Sequence, residues 1–137
     1  MKKIYALAVL ILMCTVSSFA QANKQPLKTT VKPKLEVYYF HYAIRCATCL
    51  AVENNSKNAL TALYPEKVKA GEYTFKGVNL DEASSKAIAK KLKVGGQSLV
   101  VVCDDKQLDL TTKVFLYAQD QAKIKAEIKK AVEKVLH

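Results

Sequence analysis

Three features of the sequence predict an α/β domain, an α+β sandwich whose central mixed sheet carries flanking helices. Strand-like and helix-like patterns alternate from residue 35 to the C-terminus. Residues 37–42 and 99–102 are apolar or aromatic on both alternating faces, as strands covered on both sides must be. Ile124, Ile128, Ala131, Val132 and Val135 fall on one helical stripe opposite lysines, the pattern of a helix laid against a core. Composition agrees. The chain has 137 residues, 50% hydrophobic and 25% charged, with 4 glycines, 3 prolines and 4 cysteines. Those values suit one ordinary domain and exclude a disordered tail, a collagen-like repeat and a disulfide-dense miniprotein.

Each element has its own signal. Residues 35–42, Leu-Glu-Val-Tyr-Tyr-Phe-His-Tyr, are β-branched and aromatic and read as a central strand. From Cys46 to about Tyr64 the spacing turns helical, and Pro65 closes it. Residues 73–80 read as a second strand. Ala83, Ala87, Ile88 and Leu92 mark a helix over 81–94, broken by Gly95-Gly96. A dense apolar strand follows over 98–103, then a turn at 104–107 leading into 108–110. Residues 111–117 fit a strand and a helix equally. The closing amphipathic helix spans 119–136. The order implies a βαβ start, an antiparallel pair and a terminal helix.

The first 34 residues read differently. Lys2 and Lys3, the apolar run from Ile4 to Val16 and the small residues Ser18 and Ala20 form a secretory signal peptide over 1–20, with cleavage expected after Ala20 and a periplasmic or secreted destination. Cys14 follows Met13 rather than a small residue, so it is not expected to be a lipidation site. Cleavage removes Lys2, Lys3 and Cys14, which takes the net charge from +10 to +8 and leaves three cysteines in an oxidising compartment. Residues 21–34, with Pro26, Pro33 and four lysines, read as a flexible basic linker to a domain over 35–137.

Chemistry concentrates at Arg45-Cys46-Ala47-Thr48-Cys49. A Cys-x-x-Cys where a strand hands over to a helix puts both sulfurs on one helical turn. The first receives backbone N–H groups and the positive end of the helix dipole, and Arg45 adds a charge that lowers the thiol pKa. Cys46 is therefore expected to be the exposed nucleophile and Cys49 the resolving thiol.

Strand, Cys-x-x-Cys, helix, strand, helix and the Val-x-Gly-x-x-(apolar) strand, from Tyr38 to Cys103, resemble the thioredoxin fold. Tyr38-Tyr39-Phe40-His41, the segment from Arg45 to Glu53 and Ser98-Leu99-Val100-Val101-Val102 are similar to a family of small secreted thioredoxin-like proteins labelled the nitrophenyl compound nitroreductase subunit ArsF family. That label implies a role near nitroaromatic or arsenical reduction. The sequence has no GxGxxG and no phosphate loop, so no cofactor is expected beyond a redox-active disulfide. Three departures from ordinary thioredoxins stand out. Arg45 replaces a tryptophan, Phe40 replaces a buried aspartate, and Ser98 occupies the cis-proline position, where a trans peptide is expected. His41 and Glu53 then become the candidate proton acceptors.

Other readings remain open at this point. The pair could be a structural disulfide, although so short a loop constrains the unfolded chain little. It could hold a soft metal or an arsenical, with His41 or Cys103 as a third ligand; Met1 and Met13 both lie in the removed segment, so no thioether is left. Structural zinc lacks a second close pair. Cys103, ending a buried strand, reads as a core thiol. The lysines over 123–134 read as a solvated helix face, and no nucleic-acid partner is expected. A protein or small-molecule thiol or disulfide is the expected partner, a membrane-bound redox protein among the candidates, and the chain is expected to be a monomer.

Overall fold

Residues 34–137 are described by a computed structural model. The expected signal peptide, its cleavage point, Cys14 and the linker up to residue 33 lie outside the described residues. Strand β1, Leu35–His41, is followed by helices α1, Ala47–Leu63, and α2, Pro65–Lys69, then by strand β2, Tyr73–Asn79. A 3₁₀ turn at Ala83–Ser85 leads into helix α3, Lys86–Lys91. Strands β3, Ser98–Cys103, and β4, Lys106–Asp109, form a hairpin, and helices α4, Thr111–Leu116, and α5, Gln121–Leu136, end the chain.

The four strands form one mixed sheet in the order β2-β1-β3-β4. β1 runs parallel to β2 and antiparallel to β3, and β3 runs antiparallel to β4. The two dense apolar segments are thus the two interior strands, and each buries both faces. Leu35, Val37, Tyr39, Leu99 and Val101 join Val52, Leu60, Ile124, Ile128 and Val132 in the larger core beneath α1 and α5. Tyr38, Phe40 and Val100 face the other way, against Ala89 and Leu92. All five residues of the α5 stripe are buried as expected. No helix among the described residues is long and apolar enough to cross a membrane.

Three details depart from the sequence reading, and a fourth settles what it left open. Pro65 does not simply end a helix: Tyr64 breaks α1, and Pro65 opens α2 at a first-turn position where its missing N–H costs nothing. The helix expected over 81–94 shrinks to Lys86–Lys91. Before it, Asn79 accepts from the Asp81 N–H at 3.1 Å, and the Ser85 hydroxyl donates to the carbonyls of Asn79 and Glu82, side-chain bonds that compete with a helical ladder. After it, Lys93 at φ 55° takes the left-handed position, and the Val94 N–H closes back on the Ala89 carbonyl at 2.8 Å, so the helix stops ahead of Gly95-Gly96. The hairpin turn is only Asp104-Asp105, with Cys103 opposite Lys106, so β4 starts at two polar edge residues that carry no strand signal. The open segment is helical over Thr111–Leu116. Asp109 accepts from the Thr111 N–H at 2.7 Å, and Val114 and Ala118 bury one helical face.

Candidate functional site

The cysteine pair stands where β1 ends. The Leu80 N–H donates to the His41 carbonyl at 2.7 Å and the Ala43 N–H to Asp81 Oδ2 at 2.7 Å, which ties the loop from β1 to the end of β2. Cys46 is the N-cap of α1, with extended backbone at φ −82° and ψ 167°. Its Sγ accepts from the Cys49 N–H at 3.4 Å, serving one of the unpaired donors of the first turn. Cys46 is exposed and Cys49, a turn deeper, is buried. The two sulfurs stand 2.6 Å apart, inside van der Waals contact, with both thiols free. The Cys49 thiol is held below the ordinary thiol range, first by Cys46 beside it and next by the Gln97 side chain, against the opposing effect of burial.

Arg45 and Glu53 come together. The Arg45 guanidinium pairs with the Glu53 carboxylate, so its charge is directed along α1 and is shared with that carboxylate beside the pair. His41 is buried at the strand end. Its Nδ1 lies 2.9 Å from the Tyr42 carbonyl, which can only accept, so Nδ1 carries the proton and Nε2 keeps the lone pair in the neutral ring. Gly77 on β2 leaves the room these groups use: a methyl there would stand 2.8 Å from Glu53 Oε1 and 3.6 Å from His41 Nε2. Beside them opens a groove of about 490 Å³ lined by His41, Arg45, Gly77, Asn79, Glu82 and Ser85.

Two residues that the sequence reading passed over serve the deeper thiol. The fully buried Tyr39 donates its hydroxyl to the Cys49 carbonyl at 3.0 Å, and Gln97 Nε2 donates to the Tyr39 oxygen at 2.8 Å. Burial, which disfavours the phenolate, pushes the Tyr39 hydroxyl up to about 12. The one signal for Gln97 in the sequence is its place, a polar side chain between Gly-Gly and a buried strand. Ser98 begins β3 opposite Phe40, and its hydroxyl turns back to the Gly96 carbonyl at 3.0 Å. No peptide bond among the described residues is cis, Ser98 included.

Cys103 sits at the far end of β3, about 17 Å from Ser98 at strand rise. It is buried, and among the described residues it joins no group of three metal-ligating side chains. Among the described residues no three His, Cys, Asp or Glu side chains converge as a metal site, so His41 does not complete one with the pair. A surface hollow of about 520 Å³ also lies at that far end, between Lys34, Glu36, Asp104 and Lys106, and no cysteine lines it.

Apolar side chains crowd the cysteine end instead. Tyr42, Ile44, Leu50 and Leu116 are the large hydrophobic residues left exposed among the described residues, and Ile44 is 94% exposed. Two precede Cys46 in the loop, one follows Cys49, and Leu116 shares a groove of about 400 Å³ with Thr48. An exposed sulfur backed by a second, buried one can be attacked by or attack a sulfur presented from outside, and the second can close on the first. Comparison with protein-family models, curated proteins and solved structures gave no match.

Proposed function

We propose that the protein is an exported thioredoxin-like thiol–disulfide oxidoreductase working through Cys46 and Cys49. The observation that carries the reading is the placement of the pair: Cys46 is exposed at the start of α1, with the buried Cys49 sulfur 2.6 Å behind it. The βαβ start, the strand order β2-β1-β3-β4 with β3 antiparallel to its neighbours, and the Cys-x-x-Cys at the β1–α1 junction support the thioredoxin-like assignment.

In the reducing direction the Cys46 thiolate attacks one sulfur of a partner disulfide. A mixed disulfide forms, and the partner's other sulfur leaves as a thiolate and takes up a proton. Cys49, having given up its proton, then attacks Cys46 Sγ; the intramolecular disulfide forms and the partner's second sulfur departs. Two electrons have passed to the partner and the pair is oxidised. Every step is reversible, so an oxidising role uses the same atoms in the reverse order. The exposed rim of Tyr42, Ile44, Leu50 and Leu116 favours a protein partner over a small thiol, because exposed apolar area beside a reactive group is useful when it is covered on docking.

Redox titration in glutathione buffers, read by mass, tests this. A pair that exchanges at a potential above about −300 mV is expected, and a pair reduced only well below about −300 mV is a structural disulfide. The loss of a cis-proline at Ser98 favours a second reading, an accessory subunit near arsenical or nitroaromatic reduction that binds through the dithiol. Repeating the titration with arsenite separates the two: arsenite protection of the thiols with no glutathione exchange supports the second.

A further inference from the structure

The hydrogen bonds under Cys49 have a direction that can be worked out from the partners. Carbonyl oxygens only accept, so the single Tyr39 proton is spent on the Cys49 carbonyl. The Tyr39 oxygen can then only accept, and Gln97 must present its NH₂ group, not its carbonyl, across the 2.8 Å contact. An amide nitrogen has two N–H bonds and Tyr39 takes one. The other is left unclaimed by Tyr39, which itself holds the Cys49 carbonyl.

We propose that Gln97 points this second N–H at Cys49 Sγ and stabilises the resolving thiol as a thiolate, with Tyr39 as the positioning residue that holds the amide the right way round. The proposal deepens the dithiol-exchange reading and rests on it for its purpose. Cys49 can attack a mixed disulfide on Cys46 only as a thiolate, and in the mixed disulfide the Cys46 sulfur carries no charge or proton to share. The backbone N–H groups of Cys46 and Cys49 remain, and a hydrogen bond from outside the pair is the side-chain support that is left for the negative sulfur. Hydrogen bonds to a charged acceptor are the strong ones, and this one lies at a buried sulfur that has little water to replace it. The lowered Cys49 thiol, with Gln97 among its causes, agrees. Phe40, at the position where ordinary thioredoxins carry a buried aspartate, lies in the other core, with Ala89 and Leu92.

The experiment uses the full chain with Cys103→Ala, so that the ultraviolet thiolate signal comes from the site, and with Cys46→Ser, which imitates the uncharged Cys46 of the mixed disulfide. In that background Gln97→Leu is expected to raise the pH at which the Cys49 thiolate appears and to cut the thiolate fraction below that pH by about tenfold. Gln97→Glu, which replaces the donor by a negative acceptor, is expected to move it further. Tyr39→Phe removes only the hydroxyl and is expected to give a smaller shift of the same sign. Circular dichroism and melting curves identify folded variants, and Gln97→Asn, which keeps a shorter amide, is expected to recover part of the shift. An unchanged titration in folded Gln97→Leu and Tyr39→Phe overturns the proposal. The redox reading is judged separately on the unmodified pair. Exchange with glutathione alongside an unmoved titration refutes the role of Gln97 alone; a moved titration without exchange leaves that role and removes the oxidoreductase.

Discussion

Replacing Gly77 with alanine adds one methyl group where there is no room for it. The new carbon would stand 2.8 Å from Glu53 Oε1, closer than a carbon and an oxygen can rest, and at an acceptable 3.6 Å from His41 Nε2. The atom in the way is the tip of a jointed side chain, so Glu53 swings aside and the backbone holds. Two stability terms then oppose each other. Alanine in a strand gains about 0.5–1 kcal/mol over glycine through the unfolded chain. Disturbing the Arg45–Glu53 pair loses at most about 1 kcal/mol, since both side chains keep about a fifth to a quarter of their surface in water. The net change is within about 1 kcal/mol of zero, and the melting temperature shifts by a few degrees at most. The site is affected more. With Glu53 displaced, the Arg45 charge is left next to Cys46 without its counter-ion. At about 6 Å in water-like dielectric a unit charge acts on an incoming anion with roughly 0.7 kcal/mol, about threefold in rate. The assay is mixed-disulfide formation with an anionic disulfide and with a cationic one at low salt. Gly77→Ala is expected to raise the ratio of the two rates by severalfold, and added salt is expected to erase the difference. A large fall in melting temperature would refute the idea that only a side-chain tip is displaced. An unchanged ratio in a folded variant would show that Glu53 does not restrain the Arg45 charge.

Three further outcomes follow from individual residues. The Tyr39 hydroxyl is raised from 10 to about 12, so between those values the unfolded chain ionises this tyrosine while the folded chain does not; stability is complete below pH 10, falls as pH rises to about 12, and Tyr39→Phe is expected to flatten that part of the curve in pH-dependent urea unfolding. The Ser56 hydroxyl on α1 is fully buried without a hydrogen-bond partner, so Ser56→Ala is expected to raise stability by about 1 kcal/mol, measured by denaturant unfolding; a loss would reveal a partner for that oxygen. Cys103 packs at the end of β3 away from the pair, so Cys103→Ala is expected to cost about 1 kcal/mol of stability and to leave glutathione exchange unchanged; altered exchange would place the third thiol in the chemistry.

What the sequence made legible was whatever has a local cause. β3 is a run of Leu-Val-Val-Val that reads as a buried strand, and the α5 stripe repeats at helical spacing for about three turns. The Cys-x-x-Cys at a strand–helix junction placed Cys46 at the helix start from its neighbours alone. α2 and the first two residues of β4 escaped because they are short, polar stretches with nothing periodic to read. The end of α3 was misplaced because a lysine, not the adjacent glycines, takes the left-handed position. At the site, Arg45 and Glu53 were each noticed for separate tasks, yet their pairing depends on how the loop approaches α1. Gly77 and Gln97 depend on the sheet: they matter because β2 and β3 flank β1 at the level of the cysteines, and strand order is not written in any local window.

That sheet geometry also gives the proposed support of Cys49 by Gln97 its physical basis. Side chains along β1 alternate between the two cores, so Tyr39 and Phe40 serve opposite faces. The residue beneath α1, where Cys49 lies, is Tyr39; a carboxylate at position 40 would point into the Ala89 and Leu92 side. Tyr39 pairs in register with Gly77 on one flank and with Leu99 on the other, two residues beyond Gln97. The charged groups, Arg45 and Glu53, therefore gather over the Gly77 flank, and the uncharged donor, Gln97, comes from the β3 flank. A neutral amide does not titrate, so support from Gln97 adds no pH step of its own, whereas a carboxylate in its place would add one. A resolving step governed by the amide should show a single ascending pH limb, that of the Cys49 thiol.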